Sequence, residues 1–227
     1  MLNWQKHKTK MIEILKAIYT DVEIAPFLIF KGGTACYLFY DLPRYSVDLD
    51  FDLLEYDKRD LVFRKIKNHL LKLGETKDEK IKKNTIFFLY SYKNGEQNIK
   101  VEISTRGMNK KYDILDFFGI NMKVMVKEDI FANKLVALSD RSSVASRDIF
   151  DINFFLDKMW GINEKIIKER TNKNLSDYLL ECINIIKEVP ERKLLFGLGD
   201  LVDEKQKHWI RNKMKEEIIF KINVLRN

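Results

Sequence analysis

The sequence predicts an α+β fold, in which an N-terminal mixed sheet with flanking helices, residues 1–127, precedes a C-terminal helical bundle, residues 128–227. Short apolar runs and alternating runs in the first part indicate strands. From residue 128 onward, apolar residues recur every three or four positions, which is typical of helices. The chain shows no internal repeat and no linker rich in Gly, Ser or Pro.

Local patterns place the individual elements. An Asn94-Gly95 pair between two alternating runs predicts a β-hairpin. A helix in the first part is expected to begin at Asp57 as its N-cap and to end at Gly74. The predicted strands are 27–30, 48–53, 86–92, 97–104 and 122–126. The predicted helices are 3–19, 34–40, 57–73, 128–138, 146–156, 163–170, 175–188 and 203–225.

Composition excludes several classes of protein. Hydrophobic residues make up 45% of the 227 residues, too many for a disordered chain. No apolar run approaches the roughly 20 residues of a membrane span, and no secretory signal is visible, so we expect a cytoplasmic protein without membrane contact. Cys36 and Cys182 are the only cysteines, which argues against a disulfide framework. The net charge of +7 is compatible with a polyanionic partner, but the lysines are spread along the chain, which equally fits a compositional bias.

A glycine turn follows the first predicted strand. The run Lys31-Gly32-Gly33-Thr34 connects that strand to a short helix. Because glycine has no Cβ, a ligand can approach its backbone closely, and free N–H groups at a helix start suit a phosphate. The Thr34 hydroxyl adds a further donor. A purely structural turn is the alternative interpretation.

Alternating acids mark the next strand. Asp48, Asp50 and Asp52 point to one face, and the intervening Leu and Phe residues point to the other. Carboxylates about 7 Å apart at Cα repel each other unless a cation lies between them. Mg²⁺ and Mn²⁺ prefer such oxygen ligands, and a pair of these ions serves in-line phosphoryl transfer. Asp52 lies at the predicted strand exit, where we expect it to be solvated. A solvated acidic face is the alternative for the pair.

Two further charged positions extend the metal hypothesis. Glu102 lies mid-strand between apolar neighbours, where it either completes a metal site, acts as general base or pairs with a lysine across the sheet. Lys134 interrupts an otherwise apolar helix, so its ammonium either reaches solvent or meets an anion such as a triphosphate.

In combination, these motifs resemble the nucleotidyltransferase signature of the DNA polymerase β-like superfamily. They resemble more closely the AbiEii/AbiGii toxin family of bacterial toxin–antitoxin and abortive-infection systems. The spacing from Gly33 to Asp48 is slightly longer than the superfamily pattern, which we attribute to the loop 42–47. The matching stretches are Lys31-Gly-Gly-Thr34, Leu42-Pro-Arg44-Tyr-Ser46-Val-Asp48-Leu-Asp50-Phe51, Ile103-Ser104, Ala132-Asn-Lys134-Leu-Val-Ala-Leu138 and Arg147-Asp148-Ile-Phe-Asp151.

The resemblance implies a role for each matching residue. Arg147 and Asp151 would support Asp148. The nucleotide-binding group would comprise Gly32, Gly33, Thr34, Arg44, Ser46 and Lys134. The catalytic group would comprise Asp48, Asp50, Glu102, Lys134 and Asp148, of which Asp48, Asp50 and Glu102 would also hold Mg²⁺ or Mn²⁺. The helical part would complete the cleft for nucleotide and acceptor.

The implied activity is transfer of NMP from an NTP to an acceptor hydroxyl. By family analogy the acceptor is an RNA 3′ end, with tRNA the first candidate, or a protein hydroxyl. A cognate antitoxin protein is the expected partner, and phage defence the expected setting. Two alternatives stay open: a catalytically silent module that binds NTP or nucleic acid, and a metal-dependent nuclease.

Overall fold

The computed structural model of the protein describes residues 3–93, 95–107, 110–141 and 143–226. The strands are β1 (Leu28–Lys31), β2 (Leu49–Leu53), β3 (Glu75–Lys82), β4 (Thr85–Ser91), β5 (Ile99–Ser104), β6 (Tyr112–Phe117) and β7 (Ile120–Met125). The helices are α1 (Trp4–Tyr19), α2 (Gly32–Phe39), α3 (Arg59–Leu73), α4 (Lys127–Asp140), α5 (Ser146–Asp157), α6 (Glu164–Thr171), α7 (Leu175–Glu188), α8 (Glu204–Asn212) and α9 (Met214–Arg226).

The chain divides into two compact units. The first unit comprises Met1–Asp41 and Tyr45–Met125, and the second comprises Leu42–Arg44 and Val126–Asn227. The first unit therefore carries α1 to α3 and the whole sheet, whereas the second is helical. The predicted α+β class is confirmed. The predicted boundary falls after residue 127, and the prediction assigned the short Leu42–Arg44 segment to the first part.

One seven-stranded mixed sheet organises the first unit, in the order β3-β4-β5-β2-β1-β7-β6. The central strand β2 pairs antiparallel with β1 and parallel with β5. Apolar residues of these strands, among them Phe30, Phe51 and Val101, are fully buried in one core with residues of α1 and α3. Because side chains alternate along a strand, burying this set leaves Asp50 and its neighbours on the opposite face.

The predicted hairpin is present as the antiparallel pair β4–β5. Asn94, the first residue of its predicted turn, lies outside the described residues. The prediction of Asp57 as an N-cap is wrong, because Asp57 lies in a short 3-10 turn and α3 begins at Arg59. Gly74 ends α3 as predicted.

The second unit consists of packed helices. Phe131 of α4 and Phe155 of α5 meet at a ring-centroid distance of 5.4 Å, and Trp160 stacks on Phe155 at 4.3 Å. The prediction of one helix over 203–225 is wrong, since the chain turns at Lys213 between α8 and α9. In the described part of the chain, every helix is too short or too polar to span a bilayer.

Candidate functional site

Three charged side chains share the polar face at the centre of the sheet. Asp50 on β2 is the register partner of Lys31 on β1 and of Glu102 on β5. Register partners on neighbouring strands project to the same face, so the sheet places these groups side by side. Asp50 and Glu102 are both half-buried. The sheet register thus brings the predicted Asp50 and Glu102 together, 52 positions apart in the chain.

Asp48 lies directly before β2, so no strand pairing fixes its backbone. Side chains fix it instead. The buried Thr34 hydroxyl donates to the Asp48 carbonyl oxygen. The preceding carbonyl, that of Val47, accepts from His7 Nε2 at 3.0 Å. Two residues from α1 and α2 therefore hold the peptide groups on both sides of the Asp48 side chain.

The Thr34 hydroxyl has a partner within the protein, and the contact of Thr34 with a nucleotide stays a prediction. The resemblance implied that Thr34 contacts the nucleotide, but its side chain is fully buried and its hydroxyl donates to Asp48. The Thr34 side chain therefore positions the backbone of the loop that carries Asp48. His7 was not predicted at all, because a single histidine on an amphipathic helix gives no signal of a contact 40 positions away.

The hydrogen bond between His7 and the Val47 carbonyl also fixes the tautomer of His7. A carbonyl oxygen only accepts, so Nε2 carries the proton, and Nδ1 accepts from the Tyr92 hydroxyl at 3.1 Å. Burial lowers the pKa of His7 below its ordinary value of 6.5, against the Val47 hydrogen bond and two nearby carboxylates, which raise it. The imidazole is thus a neutral, fully used hydrogen-bonding group.

Gly32 meets the Asp50 carboxylate so closely that no side chain fits. A Cβ at Gly32 would overlap Asp50 Oδ2, and the residue has a φ of +78°, which glycine adopts most easily. Gly32 is also the first residue of α2, and its N-cap Lys31 makes no side-chain cap. The uncapped amides of this helix start therefore lie beside a carboxylate, an arrangement that suits a metal-bound phosphate.

Asp52 is buried and paired, so the prediction that it is solvated is wrong. It is only 4% exposed. Lys31 Nζ lies 2.8 Å and Lys110 Nζ 3.5 Å from its Oδ1. Lys110 also donates to the Leu53 carbonyl at 2.9 Å, and burial lowers the pKa of Lys110, against the attraction of Asp52. Asp52 therefore orients two ammonium groups next to the candidate metal ligands.

The donor set fits a nucleotide-bound metal better than a metal held by protein alone. Across residues 3–93, 95–107, 110–141 and 143–226, no three His, Cys, Asp or Glu side chains form a group that could hold a metal ion. Mg²⁺ in phosphoryl-transfer sites takes one or two carboxylates and completes its shell with water and phosphate oxygens. Asp48 and Asp50 match that requirement. The role of Glu102 as a third ligand stays a prediction.

The second unit contains a buried ionic network around Asp151. The Arg44 guanidinium donates to both Asp151 oxygens, at 2.6 and 2.7 Å, and both side chains are almost fully buried. Lys134 Nζ lies 2.8 Å from Asp151 and 2.7 Å from Asp148. Burial alone would raise the pKa of Asp151. The positive charges of Arg44 and Lys134 outweigh this effect and lower the pKa.

Lys134 is correspondingly held as a cation. Burial would lower the pKa of Lys134, but Asp148 and Asp151 more than compensate and raise it. Asp148 is 1% exposed, and its second oxygen lies 3.1 Å from Arg141 Nη1 without hydrogen-bond alignment. Lys134 thus connects the two predicted acids of α5, and its contact with a phosphate stays a prediction.

The remaining predicted nucleotide-binding residues lie at two places. Gly33 is buried in the first turn of α2, and Ser46 is half-buried in the loop two residues before Asp48. Arg44 belongs to the segment Leu42–Arg44 of the second unit, where Asp151 engages its guanidinium. Its predicted nucleotide contact therefore competes with a buried ion pair. No local sequence pattern predicts the Arg44–Asp151 pair, because the two residues are 107 positions apart.

Comparison with models of protein families identifies the family of this chain. The model of a family described as nucleotidyl transferase AbiEii toxin, of type IV toxin–antitoxin systems, matches residues 13–217. This chain belongs to the AbiEii family. The resemblance inferred from the motifs between residues 31 and 151 is thereby confirmed, and the family match extends beyond them to residue 217. The chain is thus a member of a nucleotidyltransferase toxin family.

Two solved structures from Helicobacter pylori share the fold of this AbiEii-family chain. JHP933 is 23% identical, with a TM-score of 0.58 over 99% of this chain and 96% of that chain. A structure described as a putative nucleotidyltransferase is 24% identical, with a TM-score of 0.58 over 98% of this chain and 97% of that chain. At this identity they support the fold alone. A search of curated proteins gave no match.

Replacing Gly32 with Ala tests the contact between the glycine turn and Asp50. Gly119→Ala is the matched control, since Gly119 has a φ of +80° but open space around its Cβ position. Both variants should lose about 1 kcal/mol of unfolding free energy through backbone strain, and Gly32→Ala should lose more because its Cβ overlaps the Asp50 carboxylate. Only Gly32→Ala should also lose Mg²⁺-dependent NTP binding, measured by calorimetry. Equal binding in both variants would contradict the role of this contact.

The lowered pKa of His7 predicts a pH dependence of stability. On acidification below about pH 6.5 the unfolded chain takes up a proton before the folded chain does, so the unfolding free energy falls with pH. His7→Gln keeps an amide donor near Nε2 but does not titrate, so its unfolding free energy should fall less. Urea denaturation between about pH 7 and 5 measures the difference. Parallel curves would refute the predicted shift.

Arg44→Lys tests the buried ion pair of the second unit. Lysine keeps the charge but cannot donate to both Asp151 oxygens, so we expect a loss of about 2 kcal/mol. Arg59→Lys is the control, because Arg59 meets the largely exposed Asp60 at 3.3 Å. That change should cost under about 0.5 kcal/mol. The two losses, measured by urea denaturation, should differ clearly. A similar loss in both would mean that the bidentate pair adds nothing.

Proposed function

We propose that this AbiEii-family chain transfers NMP from an NTP to an acceptor hydroxyl, in a reaction that requires Mg²⁺ or Mn²⁺. The acceptor we propose is an RNA 3′ end, with tRNA as the first candidate. The observation that carries the proposal is the close approach of Gly32 to the Asp50 carboxylate. It brings an uncapped helix start together with a carboxylate that we propose as a metal ligand.

Different residues of the first unit would bind the triphosphate and the metal. The α2 amides at Gly32 and Gly33 would bind the triphosphate, because free N–H groups at a helix start favour anions. Asp48 and Asp50 would hold the metal. When bound, the metal supplies polarisation of the phosphate and activation of the acceptor hydroxyl. The remaining contribution of the protein is positioning, which the held Asp48 backbone provides.

The charges on this face of the sheet support a divalent cation. Asp50 and Glu102 lie on the same face of the sheet as Asp52, which pairs with the ammonium groups of Lys31 and Lys110. Asp48, which precedes the strand by one residue, adds a further carboxylate. A triphosphate without metal would meet these carboxylates unfavourably.

Membership of a type IV toxin–antitoxin family implies a cognate antitoxin partner. We propose that such a protein limits the toxicity of the transferase and that the pair serves in phage defence. A loss of toxicity on co-expression with a candidate partner protein would identify the antitoxin.

Transfer assays test the proposed activity. Purified protein is incubated with labelled NTPs, bulk tRNA and Mg²⁺. Asp48→Asn and Asp50→Asn should each reduce label transfer at least about 100-fold, because the metal loses a charged ligand. Asp113→Asn, which alters an exposed carboxylate on β6, should leave transfer unchanged. Addition of EDTA should abolish transfer.

The alternatives give different results in the same assay. NTP-dependent thermal stabilisation without transfer would favour a silent binding module. Shortening of the RNA would indicate a nuclease. Transfer that persists in both aspartate variants would refute the metal-dependent mechanism.

A further inference from the structure

A cluster of aromatic rings lies on the first unit, next to the loop that leads into Asp48. Trp4 of α1 stacks on Tyr45 with ring centroids 4.4 Å apart and planes at 10°. Tyr37 of α2 packs against Tyr45 at 5.8 Å. We call Trp4, Tyr37 and Tyr45 the aromatic platform. Tyr45 keeps 41% of its surface exposed, whereas Trp4 and Tyr37 are half-buried, so Tyr45 is the accessible ring of the platform.

Positive charge accompanies these rings. Lys6, Lys8 and Lys10 follow Trp4 along α1, whose first turn contains no acidic residue. Cations near a helix N-terminus oppose the helix dipole, so this placement does not serve helix stability. Lys6 pairs with Glu96 and Lys10 pairs with Glu13.

Lys8 differs from its two neighbours. Its ammonium lies over the Tyr37 ring, 4.9 Å from the centroid. Within the part of the chain that the structure describes, Lys8 has no carboxylate partner. The platform therefore combines stacked rings with an uncompensated cation, the combination that binds single-stranded nucleic acid.

The platform is connected to the candidate metal ligands. Tyr45 precedes Asp48 by three residues, so their Cα atoms lie at most about 11 Å apart. His7, between Lys6 and Lys8 on α1, donates to the Val47 carbonyl and so ties the same helix to this loop. The backbone of Tyr45 therefore lies close to that of Asp48, one of the candidate metal ligands.

We propose that the aromatic platform, with Lys8, binds the single-stranded end of a nucleic-acid acceptor. The exposed Tyr45 ring, backed by Trp4, stacks on a base, and Lys8 contacts the phosphate backbone. This inference rests on the proposed transferase function and assigns its acceptor to nucleic acid. The base and phosphates of the NTP share this chemistry, so binding of the NTP is the competing outcome that the test separates.

Binding of a short fluorescein-labelled single-stranded RNA, followed by anisotropy, tests the proposal. Tyr45→Leu keeps apolar bulk but loses the aromatic ring, and it should weaken RNA binding about 5- to 100-fold. Tyr45→Phe should bind as the unchanged chain does. Phe118→Ala, which removes a ring that is 82% exposed elsewhere on the first unit, controls for loss of any surface aromatic residue.

Salt dependence tests Lys8 separately. Lys8→Ala should reduce the slope of log K against log salt by about 0.7, the value for one phosphate contact with a single strand. Lys16→Ala removes the same charge from an exposed position on α1 and should leave the slope unchanged. Thermal melting of every variant establishes that each is folded.

The outcomes separate this inference from the proposed function. RNA binding by Tyr45→Leu equal to that of the unchanged chain, with transfer intact, would overturn the platform alone. Weaker NTP binding with unchanged RNA binding would assign the platform to the NTP base and overturn the acceptor assignment. A chain that transfers label to protein but binds no RNA would do the same. A chain without any transfer would overturn the proposed function itself.

Discussion

The carboxylates of Asp48 and Asp50 repel each other, and much of the first unit serves to keep them in place despite that repulsion. Asp50 is fixed by strand pairing on both sides, at Lys31 and Glu102. Asp48 lies just before β2, and His7 and Thr34 hold its backbone by donating to the carbonyl oxygens of Val47 and Asp48. Both mechanisms depend on the buried apolar face of the sheet, because a shift of one residue along β2 would turn the acids into the core.

The buried ionic network of the second unit contributes geometry more than stability. Burying Arg44, Lys134 and their two aspartates costs desolvation energy, and apolar residues of similar volume often stabilise a core equally well. Stability alone therefore does not account for the network. Its effect is specific geometry: the fork of Arg44 fixes the short Leu42–Arg44 segment, which continues directly into the loop before Asp48.

The sequence pattern identified the buried strands and failed at the sheet edges. β1, β2 and β5 bury one face or more, so their apolar runs were recognisable. The two missed strands, β3 and β6, are the edge strands of the sheet, and β3 is mostly charged. Edge strands bury little and carry charges that discourage pairing with other chains. Their hydrogen bonds come from a neighbour whose pairing register is not encoded locally.

The same difference between local patterns and contacts of distant segments determines which parts of the candidate site could be predicted. Asp48 and Asp50 were recognisable because alternation within one strand fixes their common face. The partners of these residues depend on contacts between distant segments. Asp52 has the same spacing as the other two acids, yet the ammonium groups of Lys31 and Lys110 make it a buried ion-pair partner. Local spacing determines the face to which a side chain points, whereas its charge environment is determined by the segments that fold against it.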